Sequence, residues 1–317
     1  MDLLSDVLAS LRLDGAMYVN AEFTAPWCIR GECGLASVQE RLAGAEHVAF
    51  FHYLVEGTCN LRLAGGGETI SAKAGDLVLF PSEGRHLMGS DLHLVPMEGD
   101  AELTREGDLY WMRHGGGGAM TRFACGYVAC SRTVYRLLLQ ALPPIVRIPL
   151  GTGSASPLVS ELLRTALRES AAGGPGARSV LARLAELLFM EAVRRYAESA
   201  GTPPQGWLAG ARDPHVGRAL AALHAEPGRP WTVDELASAS LLSRSALAAR
   251  FSALVGESPM QYLTRWRLAL AADALRSSGE AIARVAERAG YESEAAFNRA
   301  FKREYGRPPA AWRRAAA

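Results

Sequence analysis

No stretch of this 317-residue chain approaches ~18 consecutive apolar residues, so nothing in it reads as a membrane-spanning helix. A basic segment ahead of an apolar one is missing too: Asp2 and Asp6 stand near the start, and the expectation is a cytoplasmic protein without a signal peptide. Net charge is almost absent at +1, which taken over the whole chain argues against a nucleic-acid binder. Cysteine is scarce, five in all, and without a secretory signal these are expected to be free thiols in a reducing compartment. With 49% apolar and 21% charged residues the composition is that of an ordinary globular protein, and the length suits two domains with a connector.

What is present is a repetition. Phe251, Gly256, Pro259 and Tyr262 are answered 50 residues later by Phe301, Gly306, Pro309 and Trp312. Ahead of each Phe lies an i, i+3, i+4 apolar stripe, Val233, Leu236 and Ala237 in one copy and Ile282, Val285 and Ala286 in the other. Each copy reads as helix, tight turn, helix. Thr232 with Glu235 forms a capping box for the first helix, Ser243 and Ser293 cap the second members, and Gly256 and Gly306 stop them. A helix, short turn and basic second helix make a helix-turn-helix pattern.

Between the copies, residues 258–277 carry Tyr262, Trp266, Leu270 and Leu275 at helical spacing. A helix of about 20 residues spans about 30 Å, close to the roughly 34 Å that separates successive major grooves on one side of B-DNA. The charge divides to suit. Residues 214–317 hold 15 Lys and Arg against 10 Asp and Glu, a balance of +5, and the remainder 19 against 23, a balance of −4.

The run from Trp231 to Gly256, and still more that from Ile282 through Pro309, resembles the DNA-binding domain of the AraC/XylS family of transcription regulators. The resemblance implies that the third and sixth helices of the domain, 243–255 and 293–305, are recognition helices. Carried over by position, the first presents Arg244, Ser245, Ala248 and Ala249 with Arg250 at its flank, and the second Glu294, Ala295, Asn298 and Arg299. Arg suits guanine and Asn adenine, while Lys302, Arg303 and Arg307 suit phosphate.

The N-terminal part changes periodicity. Residues 1–15, with Leu3, Leu4, Val7, Leu8 and Leu11, read as a short amphipathic helix; from Gly15 to about Leu94 the period is two, with Gly and Pro clusters between short runs. Many short strands argue for a barrel or double-sheet jelly roll. Gly75-Asp76, then Pro81 and His86, resemble the second motif of the cupin barrel, a domain that AraC-type regulators often carry as a sensor. Metal-binding cupins use two His and a Glu from a first motif; here that stretch offers only His47 and His52 and no His-x-His, so no metal is expected. His52 and His86 are then candidates for lining an effector pocket.

Cys28 and Cys33, like Cys125 and Cys130, are separated by four residues, and Cys59 stands alone. A zinc or thiol-redox role for the four paired residues is open beside a plain core role. Pro26, Arg30, Gly31 and Glu32 make the first pair look loop-borne and exposed. From Tyr135 the pattern is helical again, with one helix opening at Pro157 and a second carrying Val180, Leu184, Leu187, Leu188 and Val193. Both are apolar over much of their circumference, as a dimerisation pair would be.

The expected fold is α+β in two domains: a cupin-like sensing and dimerisation domain over 1–200, a linker over 201–213, and a double helix-turn-helix domain over 214–317. The expected function is a transcription regulator, an activator and not an enzyme, without a cofactor. Its expected partners are promoter DNA, RNA polymerase, a small effector and a second copy of itself. A thiol- or metal-responsive regulator using the cysteine pairs is the alternative within the class, and a cupin enzyme the alternative outside it.

Overall fold

The computed structural model describes residues 3–4, 7, 13–33, 46–99, 103–106, 109–150, 161, 165, 168, 175–198 and 206–314. They group into two compact units, Arg12–Gly201 and Thr202–Ala317 with Met1–Leu11.

The first unit is built on strands. In chain order these are β1 (Leu13–Thr24), β2 (Cys28–Cys33), β3 (His47–Glu56), β4 (Thr58–Leu63), β5 (Ile70–Lys73), β6 (Asp76–Phe80), β7 (Gly84–Gly89), β8 (Met97–Glu98), β9 (Thr104–Glu106), β10 (Leu109–Gly115), β11 (Met120–Cys130) and β12 (Val146–Pro149). Among the described residues they pair into a sheet ordered β12-β6-β3-β11-β1-β10-β9 and a second ordered β5-β4-β7-β2-β8. Alternation fixes what each strand turns inward. Phe50 and Leu54 of β3, Phe123 and Cys125 of β11, Ile29 and Cys33 of β2 and Leu61 of β4 share one apolar core between the sheets. Phe23 stacks on Trp27 at 4.3 Å, with Phe123 edge-on to both, and closes one region of it.

The sheet-rich reading of 15–94 agrees with this arrangement, but the strands do not end there: β8 to β11 carry the sheets on to Cys130. Of the expected first helix, Leu3, Leu4 and Val7 are helical, Leu8 and Leu11 lie outside the described residues, and strand begins at Leu13. The helix expected from Pro157 lies outside them as well, apart from Glu161, Thr165 and Arg168, which are helical. The next is present as α1 (Ala177–Glu198), running along β1. Its close approach needs a bare backbone at Gly15, where a Cβ would stand 2.7 Å from the Ala182 carbonyl oxygen, and the Gly15 N–H donates to Glu186. Val180 and Leu187 remain exposed on α1.

The second unit is helical: α2 (Gly206–Arg212), α3 (Val216–Ala225), α4 (Val233–Ala239), α5 (Arg244–Val255), α6 (Pro259–Ser277), α7 (Ile282–Arg288), α8 (Glu294–Tyr305) and α9 (Pro309–Arg314). The stretch 201–213 is therefore not all linker. Residues 206–212 form α2, because Trp207 and Leu208 bury themselves and the Trp207 indole N–H donates to the Tyr262 hydroxyl at 2.8 Å.

The duplication holds down to side-chain geometry. Phe251 meets Tyr262 edge-on at 5.8 Å and 69°; Phe301 meets Trp312 at 5.9 Å and 78°. Helix α6 serves both copies. Tyr262 and Trp266 near its start pack against Phe251 and His224, while Leu268, Ala272 and Leu275 enter the core of Val285, Phe297, Phe301 and Trp312. At 19 residues it is about 29 Å long.

Both turns also share one device. The Leu241 N–H donates to Ser238 O and the Leu242 N–H to Ala237 O; in the second copy Gly290 donates to Glu287 O and Tyr291 to Ala286 O. Leu241 and Gly290 thus occupy the same place, and both are left-handed, with φ of 56° and 76°. For a leucine this conformation costs about 1–2 kcal/mol, and Leu241, 69% exposed, recovers little by burial. Leu241→Gly is expected to raise the stability of this unit by up to about 1 kcal/mol, glycine's own entropy cost of about 0.5–1 kcal/mol offsetting part of the relief. A lower thermal midpoint for the variant would show that the leucine side chain supports the turn.

Candidate nucleic-acid interface

The second helix of each motif starts and stops in the same way. Ser243 Oγ accepts from the Ala246 N–H and Ser293 Oγ from the Ala296 N–H, and Gly256 and Gly306 end the helices with φ of 87° and 71°. Leu247 and Phe251 of α5, and Phe297 and Phe301 of α8, face inward. The opposite faces carry the predicted site residues. On α5, Arg244, Ser245, Ala249 and Arg250 are exposed and Ala248 partly so; on α8, Glu294, Ala295, Arg299, Lys302 and Arg303 are exposed and Asn298 partly so.

These basic residues are not equally available. Arg250 donates twice to Asp213, at 2.6 and 2.9 Å, and Asp213 also accepts from the N–H groups of His215 and Val216 at the head of α3. Arg244 lies 3.4 Å from Asp234 in an exposed pair, a geometry that contributes little. Among the described residues, the side chains of Arg299 and Lys302 make neither a salt bridge nor a hydrogen bond to protein, so their cationic groups stand in solvent.

Several residues that hold this face in place were not among the candidates. Arg267 of α6 donates to Pro227 O and Arg229 O, both at 2.6 Å, and ties the loop before α4 to the central helix. Tyr262 takes the Trp207 N–H and in turn lies 2.5 Å from His224 Nε2. Burial pushes the His224 imidazole down to about 4, which keeps it neutral and able to accept the Tyr262 hydroxyl hydrogen. A tryptophan in the expected linker and an aspartate three residues before Val216 were the available signals.

In the strand-built unit the structure brings together residues that spacing alone keeps apart. His52 and His86 face each other with Nε2 atoms 3.3 Å apart. His52 Nδ1 is 2.9 Å from Cys125 Sγ, and His86 Nδ1 is 3.8 Å from Cys33 Sγ. His86 is buried; His52 is surrounded by protein and retains partial exposure. Burial pushes His52 down to about 3 and His86 to about 4. The expectation that Cys28 and Cys33 sit on an exposed loop is wrong. Both are buried, because residues 28–33 form β2 and pair with β7. Neither expected cysteine pair forms a unit: Cys33, Cys59 and Cys125 share the core, and Cys28 and Cys130 lie outside that cluster. Burial raises all five thiols, Cys125 and Cys130 to about 12.

Residues 2–198 match a family described as Cupin, and residues 236–315 one described as a helix-turn-helix domain. The chain is 36% identical over 315 residues to an AraC-like transcription regulator of Streptomyces lividans, covering 99% of this chain and 98% of that one. It is 29% identical over 323 residues to the HTH-type transcriptional regulator AlkR of Acinetobacter baylyi, covering 99% of both. With the RCS-specific HTH-type transcriptional activator RclR of Escherichia coli it shares 26% identity over 272 residues, 86% of each chain. A cupin unit followed by two helix-turn-helix motifs on one central helix, matched over 99% of its length by the first of these relatives at 36% identity, makes this chain a member of the AraC-like family of DNA-binding transcription regulators.

Proposed function

We propose that α5 and α8 enter two successive major grooves of promoter DNA, and that a small effector received by the cupin unit controls this binding. The observation that carries the proposal is the second copy's fidelity to the first: same cap, same stop, same edge-on aromatic pair, same outward face. Helix α6, anchored in both cores, sets the distance between the two reading helices. Arg299 and Asn298 read bases in this scheme. Lys302 and Arg303 hold phosphate, as does Arg307, exposed just past α8. Arg250, already engaged by Asp213, contributes less than Arg299.

Arg299→Ala is expected to lose about 1–3 kcal/mol on the intact operator and to relax preference at one base position, while Lys302→Ala weakens all sequences alike and lowers the salt slope by about one. Binding to single-base operator variants at several salt concentrations separates them. Uniform weakening by Arg299→Ala would mean that it touches only the backbone.

The protein acts in this reading as a homodimeric cytoplasmic activator working with RNA polymerase, without enzymatic activity. The relative named an activator supports the sign, and Val180 and Leu187, exposed on α1, support the dimer. A reporter that loses expression on deletion of the protein tests the sign; light scattering showing only monomer at micromolar concentration would refute the dimer. His52 and His86 are proposed to form the floor of the effector region, at the meeting of the two sheets. A redox sensor using Cys28, Cys33, Cys125 and Cys130 ranks second, because burial holds these thiols protonated and less reactive.

A further inference from the structure

The centre of the cupin unit collects side chains that a purely apolar core does not need. From one sheet come His52 and Cys125, directly opposite each other on β3 and β11 and so on the same face. From the other come His86 on β7 and Cys33 on β2. Gly31 lies opposite His86, and a Cβ there would stand 2.6 Å from two atoms of the imidazole; the ring occupies the space that this glycine leaves bare. Two thiols and two imidazoles thus meet between the sheets, one of each from either side.

We propose that this cluster binds one zinc-class divalent ion through His52, His86, Cys125 and Cys33. The two Nε2 atoms are 3.3 Å apart, the edge expected of a tetrahedron whose nitrogen donors lie about 2.0 Å from the ion. The donor set is the thiolate-imidazole mixture that selects zinc over hard cations. Charge agrees as well. Each thiol releases its proton to solvent as its sulfur–metal bond forms, so a dication with two thiolates and two neutral imidazoles is neutral overall, the state a dry interior tolerates.

As the side chains stand, no group of three or more His, Cys, Asp or Glu among the described residues is placed to hold a metal ion. They run as a string, Cys33–His86–His52–Cys125, held by contacts of 3.8, 3.3 and 2.9 Å. Without an ion this string is satisfied by hydrogen bonds in either direction, thiol to imidazole to imidazole to thiol. Binding the ion replaces those bonds, and all four side chains must reorient so that their donor atoms converge on one point.

The inference rests on the cupin unit being the part that receives the signal. It is tested on the full-length reduced protein, stripped with a chelator and titrated with Co2+ and then Zn2+. The expected result is one cobalt per chain, with a thiolate charge-transfer band and the strong visible bands of a tetrahedral ion, all removed by one equivalent of zinc. Zinc should also raise the midpoint of the strand-built unit. His52→Gln, His86→Gln and Cys125→Ser should each weaken binding about 100-fold or more. Cys28→Ser and Cys130→Ser, outside the cluster, should leave it unchanged. Absence of the charge-transfer band in the wild-type protein, or its full retention in folded His86→Gln, would overturn the site. Operator binding by the stripped protein is measured in parallel, so that loss of the metal reading is distinguishable from loss of the regulator reading.

Discussion

Phe301→Ala should remove one half of the DNA contact while leaving the other intact. Phe301 is fully buried, with Phe297, Tyr305 and Trp312 around it at ring distances of 5.4, 4.6 and 5.9 Å. Truncating such a ring loses its transfer energy and leaves a cavity, about 3–5 kcal/mol together, against about 5–15 kcal/mol for a whole domain. The loss falls on the second motif, where α7, α8, α9 and the C-terminal half of α6 share the core that Phe301 fills. Phe251→Ala is the mirror experiment, since Phe251 holds the same position against Tyr262. Each variant is expected to lose protection at its own half-site first. Equal loss at both half-sites from either variant would show that the two cores unfold together.

Acid should loosen the same unit through His224. Its imidazole has a usual value of 6.5 and is held at about 4 by burial, packed against Trp266 with ring centroids 4.2 Å apart and the planes tilted by 37°. The sign follows from proton counts. Between about pH 6.5 and 4 the unfolded chain binds a proton that the folded unit refuses, so stability falls as pH drops through this window and levels off below it. The depression corresponds to on the order of 3 kcal/mol. Protonation also turns His224 Nε2 from acceptor into donor, leaving the Tyr262 hydroxyl between two donors, Trp207 and His224. His224→Gln is expected to flatten the dependence, so that its thermal midpoint at pH 5 stays close to that at pH 7. A wild-type midpoint that does not change between those values would refute the assignment.

The helical unit was more legible in the sequence than the strand-built one, for a physical reason. Caps, stops and apolar stripes act within four residues, so Thr232, Ser243, Gly256 and their later counterparts declare themselves locally. Less legible there was α2, a short helix with glycine at 206 and 210, in which Trp207 reaches Tyr262, 55 residues away. In the cupin unit the decisive facts are registers. That Cys33 lies near His86, and His52 opposite Cys125, follows from pairings between strands 53 and 73 residues apart in the chain. The identical spacing of Cys28 and Cys33 and of Cys125 and Cys130 suggested pairs that the sheets do not make, and burial of Cys28 and Cys33 was hidden by loop-like neighbours that in fact pair along β7. His52 and His86 were singled out separately; nothing local revealed that they touch.

The central claim is that one rigid helix, α6, fixes the separation of two reading heads. It is tested most directly by measuring affinity for an operator into which about half a helical turn, roughly 5 base pairs, is inserted between the two half-sites. The account predicts that the inserted operator binds no better than one half-site alone, because the second motif then faces the far side of the duplex. Unchanged affinity, with both half-sites still protected, would contradict it.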